Sequence, residues 1–448
     1  MFRRGMCISA AFMLAAVAVA ILMMPGESEA IPAFTRQTGE VCGKCHFITW
    51  PALNDYGRQF KRRAYTYVRE EVLVKPSGAL SIPVTLNATL VVSAKYTNAT
   101  TNGVAPRAPG YTNGTWSLPL EAPILIAGRL GRNVGFFGEL GQEDGKTANG
   151  TLAAVWKMVS SFDMGDFRMG LNVFNTFYGW TAGLETTNVF GQHGEVLNGA
   201  DVSALTSIGM TKLNTQGITL WAGNHLWTIG LTGMVPDVYK VGKNNFGTTM
   251  IPGIRLAFTP TVMGWDLDVG GGILDGTAGG VDPATGLRFA GAHMGFLDAQ
   301  IQGEIGDDVS IGVYADYAHT VAKGGVKYNL FGATPLEFDE TGALIGGDAQ
   351  PNDRTDGWSL RAMVKPVEGW IFGGGYGETR NMTGSGVSSA MRIWNIGIIR
   401  EIYANAEIKL LYGQQRLDAL YPANPTSLTA SPVTQTTKST TLQFEALM

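Results

Sequence analysis

Apolar and polar residues alternate along most of the chain from about Leu73 to the C-terminus. One such run is Leu297–Glu304, a second is Val309–Ala318 after the tight turn Gly306–Asp308, and a third is Trp358–Lys365. A period of two is the spacing of a β-strand whose two faces meet different surroundings. The alternation therefore predicts an antiparallel β-protein in which each strand has one apolar and one polar face.

Two folds have such strands: a soluble sandwich or propeller with a solvated face, and a membrane barrel with a polar lumen. Short turns that alternate with long loops favour the barrel, as do aromatic residues at outward positions (Trp156, Tyr317, Trp358 and Tyr412). We predict an all-β transmembrane outer-membrane barrel of about 16 antiparallel strands over residues 73–448. Its turns are predicted at Gly131–Asn133, Gly306–Asp308 and Pro366–Gly369, and its loops at Thr97–Ser117, Ala182–Ser203, Thr320–Asp356 and Gln414–Thr437.

Residues 1–30 have the pattern of a secretory signal peptide. Arg3 and Arg4 precede the apolar stretch Ile8–Met24, and Ser28-Glu29-Ala30 is a small-x-small cleavage site. A retained membrane anchor is the alternative, but the apolar stretch is short for a membrane helix. Export and a barrel together predict location in the cell outer membrane, in contact with its lipid.

The chain has 448 residues, a charged fraction of 16%, a net charge of −4 and three cysteines. This charge does not suggest a nucleic-acid partner. Cys7 lies in the leader, so Cys42 and Cys45 are the cysteines of the mature protein. These two are the centre of the candidate chemistry.

Cys42-Gly43-Lys44-Cys45-His46 has the spacing at which haem c is attached. Two thiols one helical turn apart reach the two vinyl groups of one porphyrin edge, and the adjacent histidine supplies the proximal iron ligand. A redox dithiol or half a zinc site are the alternatives for a bare Cys-x-x-Cys; the adjacent His46 and export favour haem. We therefore predict one covalently bound haem c on a small α-helical module, residues 31–72. Pro51 is expected to open a helix with Leu53, Tyr56 and Phe60 on one face.

The module sequence resembles the N-terminus of the fused monohaem cytochrome–porins, outer-membrane iron oxidases of iron-oxidising bacteria. The resemblance covers about forty residues; it rests on Ile31–Gly39, Cys42–His46, Pro51–Leu53 and Tyr56–Lys61, and Ile126–Gly135 looks like the first hairpin of the family. It implies a haem-bearing plug in the mouth or lumen of a barrel that takes electrons from extracellular Fe(II) and passes them to a periplasmic c-type cytochrome or other carrier. For this function we expect the plug to bring the redox centre close to the outer face. Ala64-Tyr65 stands where the family pattern leads us to expect Gly-Tyr.

Charge agrees with a plug inside a barrel. Residues 31–71 contain seven basic and four acidic side chains, whereas the remainder of the mature chain has 24 basic and 31 acidic ones. A basic module matches an acidic barrel, although a solvated basic helix explains the same run.

A low-spin haem needs a second axial ligand, and the module has no Met or further His. Met294, Met363 and His225 in the barrel are the candidates. The alternatives are a five-coordinate iron or a weak ligand.

Three functions remain open at this point. The first is electron transfer from Fe(II), or from another extracellular donor. The second is a porin-like channel whose haem is regulatory, and the third is a peroxidase-like haem enzyme that uses the vacant iron position.

Overall fold

The structure is a computed structural model that describes most of the module and the barrel wall. The described residues are 32–49, 52–66, 87–102, 114–141, 153–175, 203–208, 215–236, 249–306, 308–332, 353–383, 388–403, 405–421 and 431–448. The predicted signal peptide (residues 1–30) and Pro51 lie outside them.

Four short helices and nineteen strands are formed by these residues. The helices are α1 (Pro32–Thr38), α2 (Cys42–Cys45), α3 (Asp55–Arg62) and α4 (Ala204–Ser207). The strands are β1 (Ala88–Asn102), β2 (Thr115–Glu121), β3 (Ile124–Arg129), β4 (Val134–Gly141), β5 (Ala153–Asp163), β6 (Arg168–Asn175), β7 (Thr215–Gly223), β8 (Trp227–Pro236), β9 (Ile251–Phe258), β10 (Thr261–Val262), β11 (Trp265–Val281), β12 (Arg288–Ile305), β13 (Val309–Val321), β14 (Val326–Asn329), β15 (Arg354–Val367), β16 (Trp370–Met382), β17 (Ser388–Tyr403), β18 (Ala406–Tyr421) and β19 (Ser431–Leu447).

The strands close into one barrel because the first strand pairs with the last. β1 and β19 are antiparallel from Val91↔Leu447 to Asn102↔Thr436, and consecutive long strands pair around the ring. β2 and β3 both pair with β1 and act as one interrupted strand, while β10 and β14 are short additions at the two ends. The wall is therefore a closed antiparallel barrel of 16 strands, as the alternation predicted.

The two faces of the wall differ as expected for a barrel in lipid. On β12, outward Leu297 and Ile301 are 63% and 44% exposed, whereas inward Asp298 and Gln302 are 2% and 1% exposed. The same phase holds on β15, where Trp358 and Leu360 point outward and Ser359 and Arg361 point inward. An apolar outer face stabilises the barrel only when hydrocarbon surrounds it, so this belt marks the membrane-spanning band.

Cross-strand rows on β16–β19 show how the outer face is layered. Phe372, Ile398, Leu410 and Leu442 form one apolar row in register. Towards the turn after β15, the guanidinium carbon of Arg400 lies 5.1 Å from the centre of the Trp370 ring. Towards the opposite end, Tyr376, Trp394 and Tyr412 form an aromatic group, with the rings of Trp394 and Tyr412 5.6 Å apart. Aromatic side chains on both sides of an apolar row are typical of the two membrane interfaces.

Leu410→Arg tests this layering. The arginine enters the apolar row, so we expect the free energy of unfolding to fall by about 2–4 kcal/mol in lipid. Thr100→Arg, in the register row of the outer aromatic group, is the matched control and is expected to cost about 0–1 kcal/mol. Denaturant titration of both variants in phospholipid vesicles measures the difference. Equal losses at the two positions would contradict the assigned depth.

The two ends of the barrel carry different connections. The predicted turns Gly131–Asn133, Gly306–Asp308 and Pro366–Gly369 lie between β3 and β4, β12 and β13, and β15 and β16. We call this the short-turn end and the opposite one the loop end. In bacterial outer-membrane barrels the short turns face the periplasm.

The predicted loops were too long where the structure describes them. β1 continues to Asn102, β18 continues to Tyr421 and β19 begins at Ser431. In β1 and β19 the extra residues are rich in Thr, Ser and Asn, which are common in loops but pair well across strands. Thr101 and Thr437 share a hydroxyl hydrogen bond of 3.0 Å in this extension. Of the loop predicted at Ala182–Ser203, residues 182–202 lie outside the described residues.

No helix among the described residues is long and apolar enough to cross a membrane.

Candidate haem site and barrel lumen

The Cys-x-x-Cys-His motif is one turn of helix followed by an extended residue. α2 spans the two cysteines, and the backbone N–H of His46 donates to the Cys42 carbonyl at 2.9 Å. His46 then pairs with Leu53 in an isolated antiparallel bridge. The two thiols therefore lie on one turn, with the imidazole directly after them.

α3 begins four residues after the predicted position, which corrects the role given to Pro51. Asn54 is the N-cap, and its side chain accepts a hydrogen bond from the Gly57 N–H at 3.0 Å. Asn is among the best N-cap residues because its side-chain oxygen satisfies an otherwise unpaired N–H. Asn54 also donates to the Lys44 carbonyl at 3.1 Å. One side chain thus starts α3 and ties it to the motif helix.

A glycine permits α3 to lie against the motif. A Cβ at Gly57 would sit 2.2 Å from the Cys45 carbonyl oxygen, so no larger residue fits without moving the two helices apart. On the same side, the Lys44 ammonium lies 4.8 Å from the centre of the Tyr56 ring. Of the predicted helical face, Leu53 and Phe60 are buried and Tyr56 is half-buried. Leu53 precedes the helix, and its backbone pairs with His46 in the isolated antiparallel bridge.

The chain turns sharply after α3. Ala64 and Tyr65 have φ values of 54° and 55°, in the left-handed region that favours glycine. Ala64 is the position at which the family pattern led us to expect Gly. Tyr65 then stacks on Phe34 of α1 with ring centres 5.1 Å apart. The turn thereby returns the chain to the first helix.

The donor set fits a covalent haem c. Cys42 and Cys45 form no disulfide and are half-buried, with an imidazole beside them. Burial, with the nearby Glu40 carboxylate, raises the pKa of the Cys45 thiol to about 11. The thiol is therefore protonated and neutral at physiological pH, and conversion to a thioether removes no charge from the site. Cys42 and Cys45 would hold the porphyrin and His46 would hold its iron.

The module lies inside the short-turn end of the barrel. On one side, the Ala33 N–H donates to Thr89 Oγ1 of β1 at 3.0 Å. On another, Arg62 donates to the Asn224 carbonyl at 2.6 Å and to Thr228 Oγ1 at 2.8 Å. On the far wall, the Gln300 amide donates to the Leu53 carbonyl at 3.2 Å. These contacts reach strands around the whole ring.

This position corrects one expectation. A haem-bearing plug close to the outer face was expected, but the contacts of the module fall at the strand ends that meet the short turns. Thr89 is the second residue of β1, and Asn224 lies in the turn before β8. The motif therefore lies towards the periplasmic side.

A buried ion pair joins the module to the wall. Arg58 is 1% exposed and donates to both carboxylate oxygens of Asp266 at 2.6 and 2.7 Å. Its Nε lies 4.0 Å from the fully buried Asp268 carboxylate. The predicted match between a basic module and an acidic barrel is thus made by specific side chains.

Apolar contacts also hold the module against the barrel wall. Ala52 packs in a cluster with Tyr314, Met363, Ile371, Ile399 and Leu411 from the wall, and Ile48 packs against it. Phe60, Ala64 and Tyr65 pack with Val159 and Trp221 on the opposite wall.

The three candidate distal ligands lie in different places. Met363 is 2% exposed in the cluster that contains Ala52, beside the module. Met294 is equally buried but lies in another cluster with Phe296 and Leu330. His225 is exposed in the turn between β7 and β8. They are not brought together, and Met363 alone of the three shares a cluster with the module. The distal ligand stays a prediction.

A second segment enters the lumen above the module, which the sequence analysis did not foresee. Asp316 accepts hydrogen bonds from the Ser203 hydroxyl at 2.8 Å and the Leu205 N–H at 3.0 Å, and from the Ser359 hydroxyl. These bonds hold residues 203–208, which include α4, against β13 and β15. Ala204, Leu205 and Ile208 then pack on inward Met294 and Phe296. A four-residue helix has no periodic pattern, so only the inward phase of Asp316 signalled a polar contact here.

We expect Asp316→Ala to raise the ionic conductance of the protein several-fold. Loss of the carboxylate removes the hydrogen bonds that hold residues 203–208, so the segment leaves the wall and the lumen widens. Planar-bilayer recordings of single molecules measure this. Asp275→Ala, an exposed outward carboxylate on β11, is the matched control. Unchanged conductance in Asp316→Ala would show that the segment does not restrict the lumen.

The wall beside this segment carries inward-facing glycines on β16, β17 and β18. Gly373 and Gly375 face inward beside Met363 and Arg361, and Gly397 and Gly413 continue the same rows on β17 and β18. These four glycines are half-buried. Gly373 and Gly397 share one inward row of the wall, and Gly375 lies in the next inward row towards the loop end.

No protein-family model and no curated protein sequence matches the chain. Solved structures are similar to it in the barrel. A loop-deletion mutant of OmpT, an outer membrane protein of Vibrio cholerae, gives a TM-score of 0.47 at 10% identity and covers 81% of this chain and 99% of its own. An anion-selective porin from Comamonas acidovorans gives 0.44 at 12% identity, covering 81% and 99%. The outer membrane channel DcaP of Acinetobacter baumannii gives 0.41 at 10% identity, covering 83% and 99%.

The closed barrel and its apolar belt confirm the predicted fold class and outer-membrane location. The chain is a closed 16-stranded outer-membrane β-barrel with an N-terminal segment seated in its lumen.

Proposed function

We propose that this chain is a fused cytochrome–porin that moves electrons from extracellular Fe(II) to a periplasmic c-type cytochrome or other carrier. The observation that carries the proposal is the seating of Cys42–His46 inside one end of a closed barrel. A single chain then combines a membrane span with an attachment site for a redox group. The haem c held by Cys42, Cys45 and His46 supplies one-electron chemistry when bound.

The residues of the chain support three parts of this function. Arg58 and Arg62 hold the module rigidly on the wall, which fixes the distance between the motif and any partner. The position at the short-turn end suits delivery to a periplasmic carrier. The polar inward face of the wall suits entry of a small hydrated cation from the loop end towards the module, so that Fe(II) gives one electron to the haem there and leaves as Fe(III).

The acidic excess of the barrel also favours a cationic donor. Residues 72–448 carry 31 acidic and 24 basic side chains, and this negative net charge raises the local concentration of divalent cations near the barrel relative to anions. No group of three or more metal-ligating side chains occurs in the described part of the chain. Outer-sphere electron transfer needs only brief contact, and the proposal therefore requires no resident iron site.

The visible spectrum of the oxidised protein before and after anaerobic addition of Fe(II) tests the proposal. We expect the sharp reduced α-band to appear with Fe(II) at acidic or neutral pH. A haem that dithionite reduces and Fe(II) does not, at either pH, would exclude iron as the donor and leave another extracellular donor to be sought.

The closed barrel with its polar inward face also favours a second candidate, a porin-like channel whose haem is regulatory or catalytic. Passage of small sugars into protein-containing liposomes, unaffected by the haem redox state, together with no Fe(II) reduction, would favour that function. Peroxide turnover by a high-spin ferric protein would indicate the peroxidase-like form.

A further inference from the structure

The outer face of β16–β19 carries a group of basic side chains just beyond the outer aromatic group. Arg392 stands in register with Glu378 and with Arg416 across three strands. The outward row before this one, on the side of the short-turn end, consists of Tyr376, Trp394 and Gln414. Arg380 follows in the next row, and Lys438 of β19 pairs with Gln414. We call Arg380, Arg392, Arg416 and Lys438 the basic tier.

The basic tier points away from the lumen. Inward positions on these strands are odd-numbered, as the buried Thr379, Ile393 and Thr441 show, and the basic tier has even numbers. The Arg380 and Arg416 side chains are 70% and 51% exposed, and Arg392 is 39% exposed. These guanidinium groups therefore face whatever surrounds the barrel at this depth.

Two carboxylates organise the tier without neutralising it. Glu378 lies 2.8 Å from Arg380 and 3.5 Å from Arg392. Asp418 lies 3.1 Å from Arg392 and 3.0 Å from Arg416. The chain of contacts runs Arg380–Glu378–Arg392–Asp418–Arg416 across three strands, so four basic groups stand against two acidic ones. Hydrogen bonds to the acids fix each guanidinium in place, which lowers the entropy lost when a ligand binds.

Depth identifies the chemistry that meets this surface. The aromatic group marks the level where hydrocarbon gives way to headgroups. Lys438 lies at this level, and the three arginines of the basic tier lie just outside it, on the loop side. Guanidinium groups at that level match phosphate oxygens by paired, charge-assisted hydrogen bonds. The outer leaflet at the loop end of an outer-membrane barrel consists of phosphorylated glycolipid.

We propose that the basic tier is a binding site for the phosphorylated headgroup of lipopolysaccharide. The acyl chains lie along the apolar row of Ile398, Leu410 and Leu442, and the headgroup phosphates meet Arg380, Arg392 and Arg416. Lys438 extends the site to β19. This site is independent of the haem and of the direction of electron flow.

The test is a binding titration of the purified holoprotein in detergent with deep-rough lipopolysaccharide, read by native mass spectrometry. Arg380→Gln/Arg392→Gln/Arg416→Gln is expected to raise Kd by about tenfold or more. Arg400→Gln, an outward arginine at the short-turn end, is the matched control and is expected to stay within about twofold. The same glycolipid without its phosphates is expected to bind wild type as weakly as the triple variant binds the intact lipid.

Free phosphate is distinguished from the lipid by competition. Excess inorganic phosphate that displaced the lipid completely would overturn the lipid assignment. Equal affinity of the triple variant and wild type, or of the two glycolipids for wild type, would overturn the site. If the triple variant fails to show the heat-dependent gel shift of a folded barrel, Arg380→Gln/Arg416→Gln, which changes the two most exposed arginines of the tier, replaces it.

Discussion

Replacing Arg58 with alanine is expected to cost the seated module about 3–5 kcal/mol, because the variant leaves buried carboxylates without their counter-charge. Asp268 is fully buried and Asp266 is 14% exposed. The barrel wall does not depend on this pair, so the loss falls on the contact between module and wall. Because about 1.4 kcal/mol corresponds to a tenfold change in an equilibrium constant, the fraction of protein with an unseated module is expected to rise at least a hundredfold.

Chymotrypsin cleavage after Phe60 and Tyr65 measures this fraction, because both side chains are buried only while the module is seated. Arg168→Ala is the matched control. Its partner Asp163 is 70% exposed, and an exposed pair contributes about 0–1 kcal/mol.

Arg58→Met together with Asp266→Asn and Asp268→Asn is expected to recover most of the stability, since no buried charge is then left unpaired. Equal cleavage of Arg58→Ala and wild type would show that the ion pair does not hold the module.

Cys42→Ser/Cys45→Ser is expected to lose all covalently bound haem and with it the reduction by Fe(II). Both thioethers form on α2, and the chain offers no other cysteine after the leader. The barrel is expected to fold unchanged, since Cys42 and Cys45 belong to none of the apolar clusters that seat the module. Each single variant retains one thioether and therefore some bound haem.

Haem staining and intact mass after denaturing electrophoresis measure the attachment. His293→Ala, a change at an exposed outward position of β12, is the control and is expected to keep the full haem stain. A stained band in the double variant, or wild type without covalent haem, would contradict the assignment of Cys42 and Cys45.

The barrel was largely predictable because each strand shows a local pattern, the alternation of apolar and polar residues along the chain. Alternation at Leu297–Gln302 and Trp358–Lys365 gave both the strands and the side that faces lipid. Loop lengths were less predictable, since Thr and Asn at the ends of β1 and β19 pair in the sheet although they are common in turns. Their pairing depends on the closing contact between the first and last strands, which no local pattern reveals.

The site was predictable in its residues and not in its location. The spacing of Cys42, Cys45 and His46 predicted the haem-attachment residues. Asn54, a good N-cap residue, stands directly before the helix that begins at Asp55. The prediction instead took Pro51 as the first helical residue and therefore placed the helix start four residues too early. That the module occupies the short-turn end depends on contacts between residues far apart in sequence. Arg58 pairs with Asp266, and the Thr49 hydroxyl donates to the Glu407 carboxylate at 3.1 Å. The hold of Asp316 on residues 203–208 is equally non-local.

Transfer of electrons across a membrane by the intact protein tests the central claim most directly. Holoprotein is inserted into liposomes that contain trapped soluble c-type cytochrome, with the loop end outside, and Fe(II) is added anaerobically to the outside. The account predicts reduction of the trapped cytochrome, abolished by Cys42→Ser/Cys45→Ser and absent from protein-free liposomes. Reduction of the module haem by Fe(II) while the trapped cytochrome stays oxidised would contradict it.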